Sequence, residues 1–239
     1  MTYRKMEPAC LLIHGFTSSP KEMENLGEFL QGNGYEVRIP LLPGHNSKPE
    51  ALMEVRHRDW IETIEQAYHE TAVISDHLFV IGQSLGAALA LHLAANFRIA
   101  GVVVLATALR LPLWRTAAVF TLSPLIRWRS KPNGPDVMDK SAFHRLNSYN
   151  TYPTASVKEL IRTMRTVRRE LHKVEAPLLV MHGRHDRTMS FKNVEMLRRK
   201  VRSREIEIKI LENSSHVLTV DYDHEEICAA ILSFIRRHD

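Results

Sequence analysis

Residues 78–88, LFVIGQSLGAA, run four apolar side chains into Gly82, then set a single Ser84 between Gln83 and Leu85 ahead of Gly86. A serine hydroxyl is a poor nucleophile at neutral pH. It attacks a carbonyl only when a base takes its proton and a third group orients that base. At a sharp strand-to-helix turn, side chains on either side of the serine would collide, so glycines stand there. G-x-S-x-G at such a junction is the pattern of a nucleophile elbow, with the hydroxyl projecting from the end of a sheet. Ala87 extends the small surface. The helix that starts there adds backbone N–H groups and a positive dipole end, and both favour an oxyanion. The competing reading is a glycine-lined helix start with Ser84 as a plain N-cap.

In an elbow of this kind the order along the chain is serine, acid, histidine. The stretch APLLVMHG (176–183) reads as a strand, and RHDRT after it places Asp186 just beyond its end. No acid follows the strand that ends near 106–108. After the last strand, NSSHVLTVD places His216 in the following loop. Only His216, His224 and His238 lie beyond Asp186; His224 opens the last helix and His238 is in the tail, which leaves His216. Taken alone, Asp186 fits a turn cap or a partner for Arg184 or Arg187, and His216 fits an ordinary loop histidine. Their joint occurrence, in order and each after a strand, supports the catalytic reading. Asp221 and Asp223 follow His216, which is the wrong order. Two convergent N–H donors are needed for an oxyanion. Leu85, next after the serine, offers one, and HGF (14–16) at the end of the first strand offers the other through Phe16. His182 and His185 have a metal-like spacing, but one belongs to a strand and the other to a loop, with no third ligand near. No metal or other cofactor is expected.

These residues need a scaffold that brings strand ends together, and the hydrophobic pattern supplies one. ACLLIHG (9–15) is a buried strand. SPKEMENLGEFLQGNG (19–34) is a helix with Ser19 as N-cap and Pro20 in its first position, stopping at Gly32 and Gly34. YEVRIPLLPGH (35–45) holds a strand and a turn. A helix from Asp59 to residue 75 turns Trp60, Ile61, Ile64 and Tyr68 inward. A strand (77–82), a helix (84–96) and a strand (99–107) follow. Alternation resumes with a strand at 176–183, a helix at 191–202, a strand at 205–212 and a closing helix at 224–237. Strands separated by helices make an α/β fold: a mostly parallel sheet with helices on both faces.

The alternation breaks over 108–173, which shows no clear buried strand. That is too long for an ordinary connection. It is read as a cap insertion with a return helix, set between core segments 1–107 and 174–239.

Composition narrows the class. The 239 residues are 44% hydrophobic and 25% charged, an ordinary balance for one domain with an insertion. Cys10 and Cys228 stand far apart in apolar surroundings and suggest a reducing compartment rather than a disulfide. The apolar run before His14 is too short for a secretory segment, and no stretch is long and apolar enough to span a membrane. The expectation is a cytoplasmic protein without integral membrane association. The formal net charge is +5. In ELIRTMRTVRRELHK the arginines alternate with Leu160, Met164, Val167 and Leu171 at helical spacing, a solvated basic face rather than a nucleic-acid motif. No nucleic-acid partner is expected.

On these residues the chain resembles the α/β-hydrolase superfamily over essentially its full length, and within it the bacterial carboxylesterases and monoacylglycerol lipases. The matching stretches are LLIHGFTSSPKEMENLGEFLQGNGYEVRIPLLPGHN, IGQSLGAALAL, APLLVMHGRHDRT and SSHVLTVDYDHEEICAAILSFI. Members often have glycine where Ala87 and Ser215 stand here. The resemblance implies hydrolysis of small-molecule esters or monoglycerides, of short to medium acyl length, through an acyl-enzyme on Ser84. Asp186 and His216 complete the triad, and the Phe16 and Leu85 N–H groups form the oxyanion hole. Gln83, Trp114, Phe120 and Trp128 are the expected substrate contacts. Thioesterase, carbon–carbon hydrolase, acyltransferase and perhydrolase chemistry can use the same triad. A non-catalytic binding role would have no need of three ordered reactive groups.

Overall fold

The computed structural model describes residues 8–239; residues 1–7 of the expected core segment lie outside the described residues. Strands β1 (Ala9–Ile13), β2 (Glu36–Arg38), β3 (Leu78–Gln83) and β4 (Gly101–Leu105) alternate with helices α1 (Lys21–Gly32), α2 (His57–Ala72) and α3 (Leu85–Asn96). Then come α4 (Leu113–Leu122), a short strand pair β5 (Trp128–Ser130) and β6 (Thr151–Pro153), and α5 (Thr154–Glu170). The chain closes with β7 (Leu178–Gly183), α6 (Lys192–Lys200), β8 (Ile206–Leu211) and α7 (His224–His238).

Six strands form one sheet in the order β2-β1-β3-β4-β7-β8, and every neighbouring pair is parallel. The four central strands are buried along their whole length, as helices on both faces require. Side chains alternate between the two faces. In β1, Ala9, Leu11 and Ile13 join Trp60, Ile64 and α3 in one cluster, while Cys10 and Leu12 join Leu26, Leu30 and Ile231 in the other. Helix α3 is buried over ten consecutive residues, because the sheet, α2 and α5 enclose it. That explains an apolar surface on every side of it.

The strand order places the site. From β1 the chain moves outward to β2, then returns to the other side of β1 as β3. The carboxyl ends of β1 and β3 are therefore a topological switch point, where the connections diverge and leave a crevice. HGF follows β1 and Ser84 follows β3, so the sequence puts its reactive groups at that crevice.

Two helix starts differ from the sequence reading. Pro20, not Ser19, occupies the cap position of α1, and no side chain caps it. Ser19 acts through its backbone, its carbonyl accepting Glu22 N–H at 3.0 Å. Helix α2 starts at His57, two residues before Asp59, whose carboxylate instead reaches back to Arg56 N–H at 2.7 Å. The β5–β6 pair was not legible: each strand is three residues long, and β5 is wholly exposed. Within the inserted segment, α5 returns to the body. Leu160, Met164, Val167 and the following Leu171 are buried in the α3 cluster, with the arginines outward. No helix of the described residues is long and apolar enough to cross a membrane.

Candidate active site

Ser84 sits between β3 and α3 with φ 55° and ψ −108°, a region rarely adopted by a residue with a side chain. The flanking glycines allow it by close approach, and neither has a left-handed backbone. A Cβ on Gly82 would lie 2.1 Å from the Gly86 carbonyl oxygen, and one on Gly86 would lie 2.0 Å from that of Ile13. The turn is pinned from behind by Ser84 N–H on the Leu105 carbonyl at 2.8 Å. The serine side chain makes no helix-capping hydrogen bond. Its Oγ instead lies 2.9 Å from Nε2 of His216.

The other ring nitrogen of His216, Nδ1, is 2.9 Å from Oδ2 of Asp186. Oδ1 of Asp186 accepts the N–H groups of Thr188 and Met189, each at 2.8 Å. An ionised carboxylate held by two amides can only accept a hydrogen bond from the ring, so Nδ1 bears the hydrogen and donates it to Asp186, and Nε2 faces the serine hydroxyl as acceptor. The electrostatics agree. Burial disfavours the imidazolium, but Asp186, with Asp136 and Glu22, outweighs it and leaves His216 above its ordinary value. Burial likewise works against ionisation of Asp186, but His216 and the Met189 amide hold its carboxyl below the usual range. The structure thus unites Ser84, Asp186 and His216.

Two further acids belong to the scaffold of this loop. Asp221, fully buried, accepts the N–H groups of Met138, Asp139 and Ser215 at 2.8–3.0 Å. Asp223 accepts from Asn213 and the Ser214 hydroxyl. Asp136 was missed by sequence reasoning. Its carboxylate takes the Ser215 hydroxyl at 2.6 Å, Arg187 at 2.7 Å and Thr188 at 2.9 Å, while its carbonyl accepts His216 N–H at 3.0 Å. It ties the acid loop and the histidine loop to the inserted segment. Nothing in SKPNGPDVMDKS marks it, since its partners lie about fifty to eighty positions away.

Phe16 lines the cavity at Ser84 and Leu85 is fully buried beside it. Neither backbone N–H has a protein acceptor among the described residues. The HGF turn is shaped by His14, whose Nδ1 donates to the Gly15 carbonyl at 2.9 Å and whose Nε2 accepts Leu42 N–H at 3.2 Å. Burial, with His45 nearby, pushes its pKa down to about 3, so the ring is a neutral spacer. Beneath the turn, Glu22 accepts Gly15 N–H at 3.3 Å, and burial raises its carboxyl pKa.

Of the four expected substrate contacts, one borders the cavity and three lie off it. Gln83 borders the cavity, but both ends of its amide are engaged: Nε2 donates to the His216 carbonyl at 2.8 Å and Oε1 accepts Leu218 N–H at 3.3 Å. It braces the histidine loop. Trp114, Phe120 and Trp128 do not line the cavity and are 69%, 38% and 40% exposed. The reason is periodicity. Leu111, Arg115 and Val119, at i, i+4 and i+8, bring one side of the α4 region to the cavity, and Trp114 and Phe120 fall off it. Along β5, Arg129 and Lys131 point inward, so Trp128 points out.

The cavity has a volume of about 290 Å³. Phe16, Val119, Tyr152, Val157, Leu160 and Met189 give it an apolar side; Ser18, Glu22, Lys131, Asp136 and Ser148 give it a polar one, with Ser84 and His216 on its wall. The metal-like pair does not converge on an ion site: Nε2 of His182 lies 3.6 Å from Asp186, and no metal-binding group of three or more His, Cys, Asp or Glu side chains is present among the described residues.

The family described as serine aminopeptidase, S33 (Hydrolase_4), matches residues 4–223. The chain belongs to this family of α/β-hydrolase serine hydrolases. A thermostable monoacylglycerol lipase of Bacillus sp. (strain H-257) is 31% identical over 95% of this chain and 90% of its own length. A carboxylesterase of Bacillus subtilis (strain 168) is 22% identical over 100% of this chain and 96% of its own. Among solved structures, one from work on LipS and LipT, two metagenome-derived lipolytic enzymes, superposes with a TM-score of 0.91 at 31% identity, covering 100% of both chains. The hydrolase therefore shares its whole fold, inserted segment included, with lipolytic relatives.

Proposed function

We infer that this hydrolase cleaves carboxylic esters, of short to medium acyl length or monoacylglycerols, through an acyl-enzyme on Ser84. The observation that supports it is the continuous chain Ser84 Oγ–His216 Nε2 and His216 Nδ1–Asp186, with 2.9 Å at each link. His216 takes the serine proton as Oγ attacks the ester carbonyl. Asp186 keeps the tautomer and stabilises the imidazolium. The Phe16 and Leu85 N–H groups, free of protein acceptors among the described residues, receive the oxyanion. His216 returns the proton to the departing alcohol, and water repeats the sequence on the acyl-enzyme. The segment 108–173, cap and return helix, covers the cavity and supplies Leu111, Val119 and Tyr152 to its acyl side. The likeness to a monoacylglycerol lipase and to a structure from work on lipolytic enzymes supports the ester reading over other acyl chemistry.

The test is a 4-nitrophenyl ester series from acetyl to long chain, together with mono- and triglycerides and a thioester. A burst of nitrophenol, a fluorophosphonate adduct on Ser84, and loss of turnover in Ser84→Ala with the fold intact are the expected results. A folded protein that shows neither burst nor adduct refutes the reading.

A further inference from the structure

The inserted segment lines the cavity with cations as well as apolar groups. Arg115 sits on the same helical side as Leu111 and Val119. Arg129 and Lys131 are alternate residues at β5, and Arg129 pairs across the strands with Tyr152, which also lines the cavity. The Tyr152 hydroxyl feels both guanidiniums. Lys131 reaches furthest in: its Nζ donates to Thr17 Oγ1 at 2.5 Å and Ser148 Oγ at 3.1 Å.

Among the described residues, no carboxylate lies within 4.0 Å of any of these three cations. The carboxylates on the same cavity wall are engaged elsewhere. Asp136 is ion-paired to Arg187, and Glu22 accepts Gly15 N–H, its carboxyl pKa raised by burial, and acts on Lys131 only from beyond 4.0 Å. A buried ammonium hydrogen-bonded only to hydroxyls, with Glu22 attracting it from beyond ion-pair distance, is costly to desolvate. Burial of Lys131 pushes its pKa down to about 8. A bound anion would offset that cost, and two arginines at the mouth would draw one in.

We propose that the substrate is an ester bearing a second, anionic group, a carboxylate or a phosphate, that seats against Lys131 with Arg115 and Arg129 closing over it. This rests on the ester-hydrolase reading and narrows its substrate class. The anion has two possible positions. On the leaving alcohol it would be a glycerophosphate-type headgroup; on the acyl chain it would be a dicarboxylic half-ester.

The experiment compares matched pairs on the full chain, below their aggregation concentrations. One arm sets a medium-chain monoacylglycerol phosphate against the same monoacylglycerol. The other sets the 4-nitrophenyl half-ester of a dicarboxylic acid against the neutral nitrophenyl ester of equal length, corrected for spontaneous cleavage. In the arm that matches the natural anion, kcat/KM is higher for the charged member, and that advantage shrinks with added salt. The anionic-to-neutral ratio falls about tenfold in Arg129→Gln and in Lys131→Met, as expected for one lost charge-assisted contact. The salt dependence of the wild type stands even if a variant fails to fold. Turnover of neutral esters with no anionic advantage in either arm, or ratios unchanged in folded variants, overturns this inference alone. Absence of all turnover and of fluorophosphonate labelling overturns the underlying reading as well.

Discussion

Gly183, the last residue of β7, offers a way to displace the triad without touching it. Its φ lies outside the left-handed region, so alanine has no backbone reason to be excluded. The obstacle is the neighbouring histidine loop. A Cβ there would lie 2.0 Å from the Ser215 carbonyl oxygen and 2.6 Å from that of Ser214. Real Cβ contacts essentially never fall below 3.0 Å, so β7 and the loop must part by about 1 Å. Gly183 leads into Asp186 and Ser215 precedes His216, so the movement is delivered to the two links at 2.9 Å. A misplacement of that size costs about 10²-fold in rate, or about 2.7 kcal/mol of transition-state stabilisation. Gly183→Ala should lower kcat/KM on a nitrophenyl ester by about that factor and slow fluorophosphonate labelling in parallel. Gly101→Ala is the control: the atoms nearest its Cβ would be Phe234 and Phe79 ring atoms at 2.9–3.1 Å, away from the site. It should cost about 1–3 kcal/mol of stability while sparing turnover of the folded protein. A Gly183→Ala enzyme within threefold of wild type refutes the claim that this close approach sets the triad geometry.

Three further outcomes follow from the same contacts. The acid limb of kcat/KM against pH reports protonation of His216, whose surroundings include Asp186, Asp136, Glu22 and His182. It should lie above the ordinary 6.5, and Asp136→Asn should move it lower, because one negative charge facing the imidazolium is gone; an unmoved limb sinks that assignment. Gln83→Leu leaves the His216 carbonyl and the Leu218 amide unpaired, and kcat should drop about tenfold with KM little changed, readable by steady-state kinetics. On α3, His92 is held by Glu170 at 2.7 Å and Glu65 at 3.0 Å. Burial opposes its charge, but these glutamates raise its pKa above 6.5. Its stabilisation is therefore complete below 6.5 and lost as pH rises through the folded value. The melting-temperature deficit of His92→Gln should narrow with rising pH, and a constant deficit would contradict it.

The elbow, the order serine–acid–histidine and the strand–helix alternation were legible because each is a local pattern. Close packing dictates the glycines around Ser84, a two-residue period writes the buried strands, and a reactive group after a strand end needs no knowledge of its partner. The cap was legible only as an interruption. Which of its side chains face inward depends on the phase of α4 and β5 against the crevice, and no local pattern carries that phase. Trp114, Phe120 and Trp128 are expected contacts because they are apolar, yet a shift of one residue along the helix or the strand separates them from Arg115, Val119 and Arg129, which face in. Asp136 shows the same limit more sharply: its hydrogen bonds join loops that meet only once β4, β7 and β8 are aligned in the sheet. The chain thus encodes its reactive groups in short segments, where sterics and periodicity act between neighbours. Substrate contacts and bracing are decided by the packed structure, where the partners are far apart in sequence.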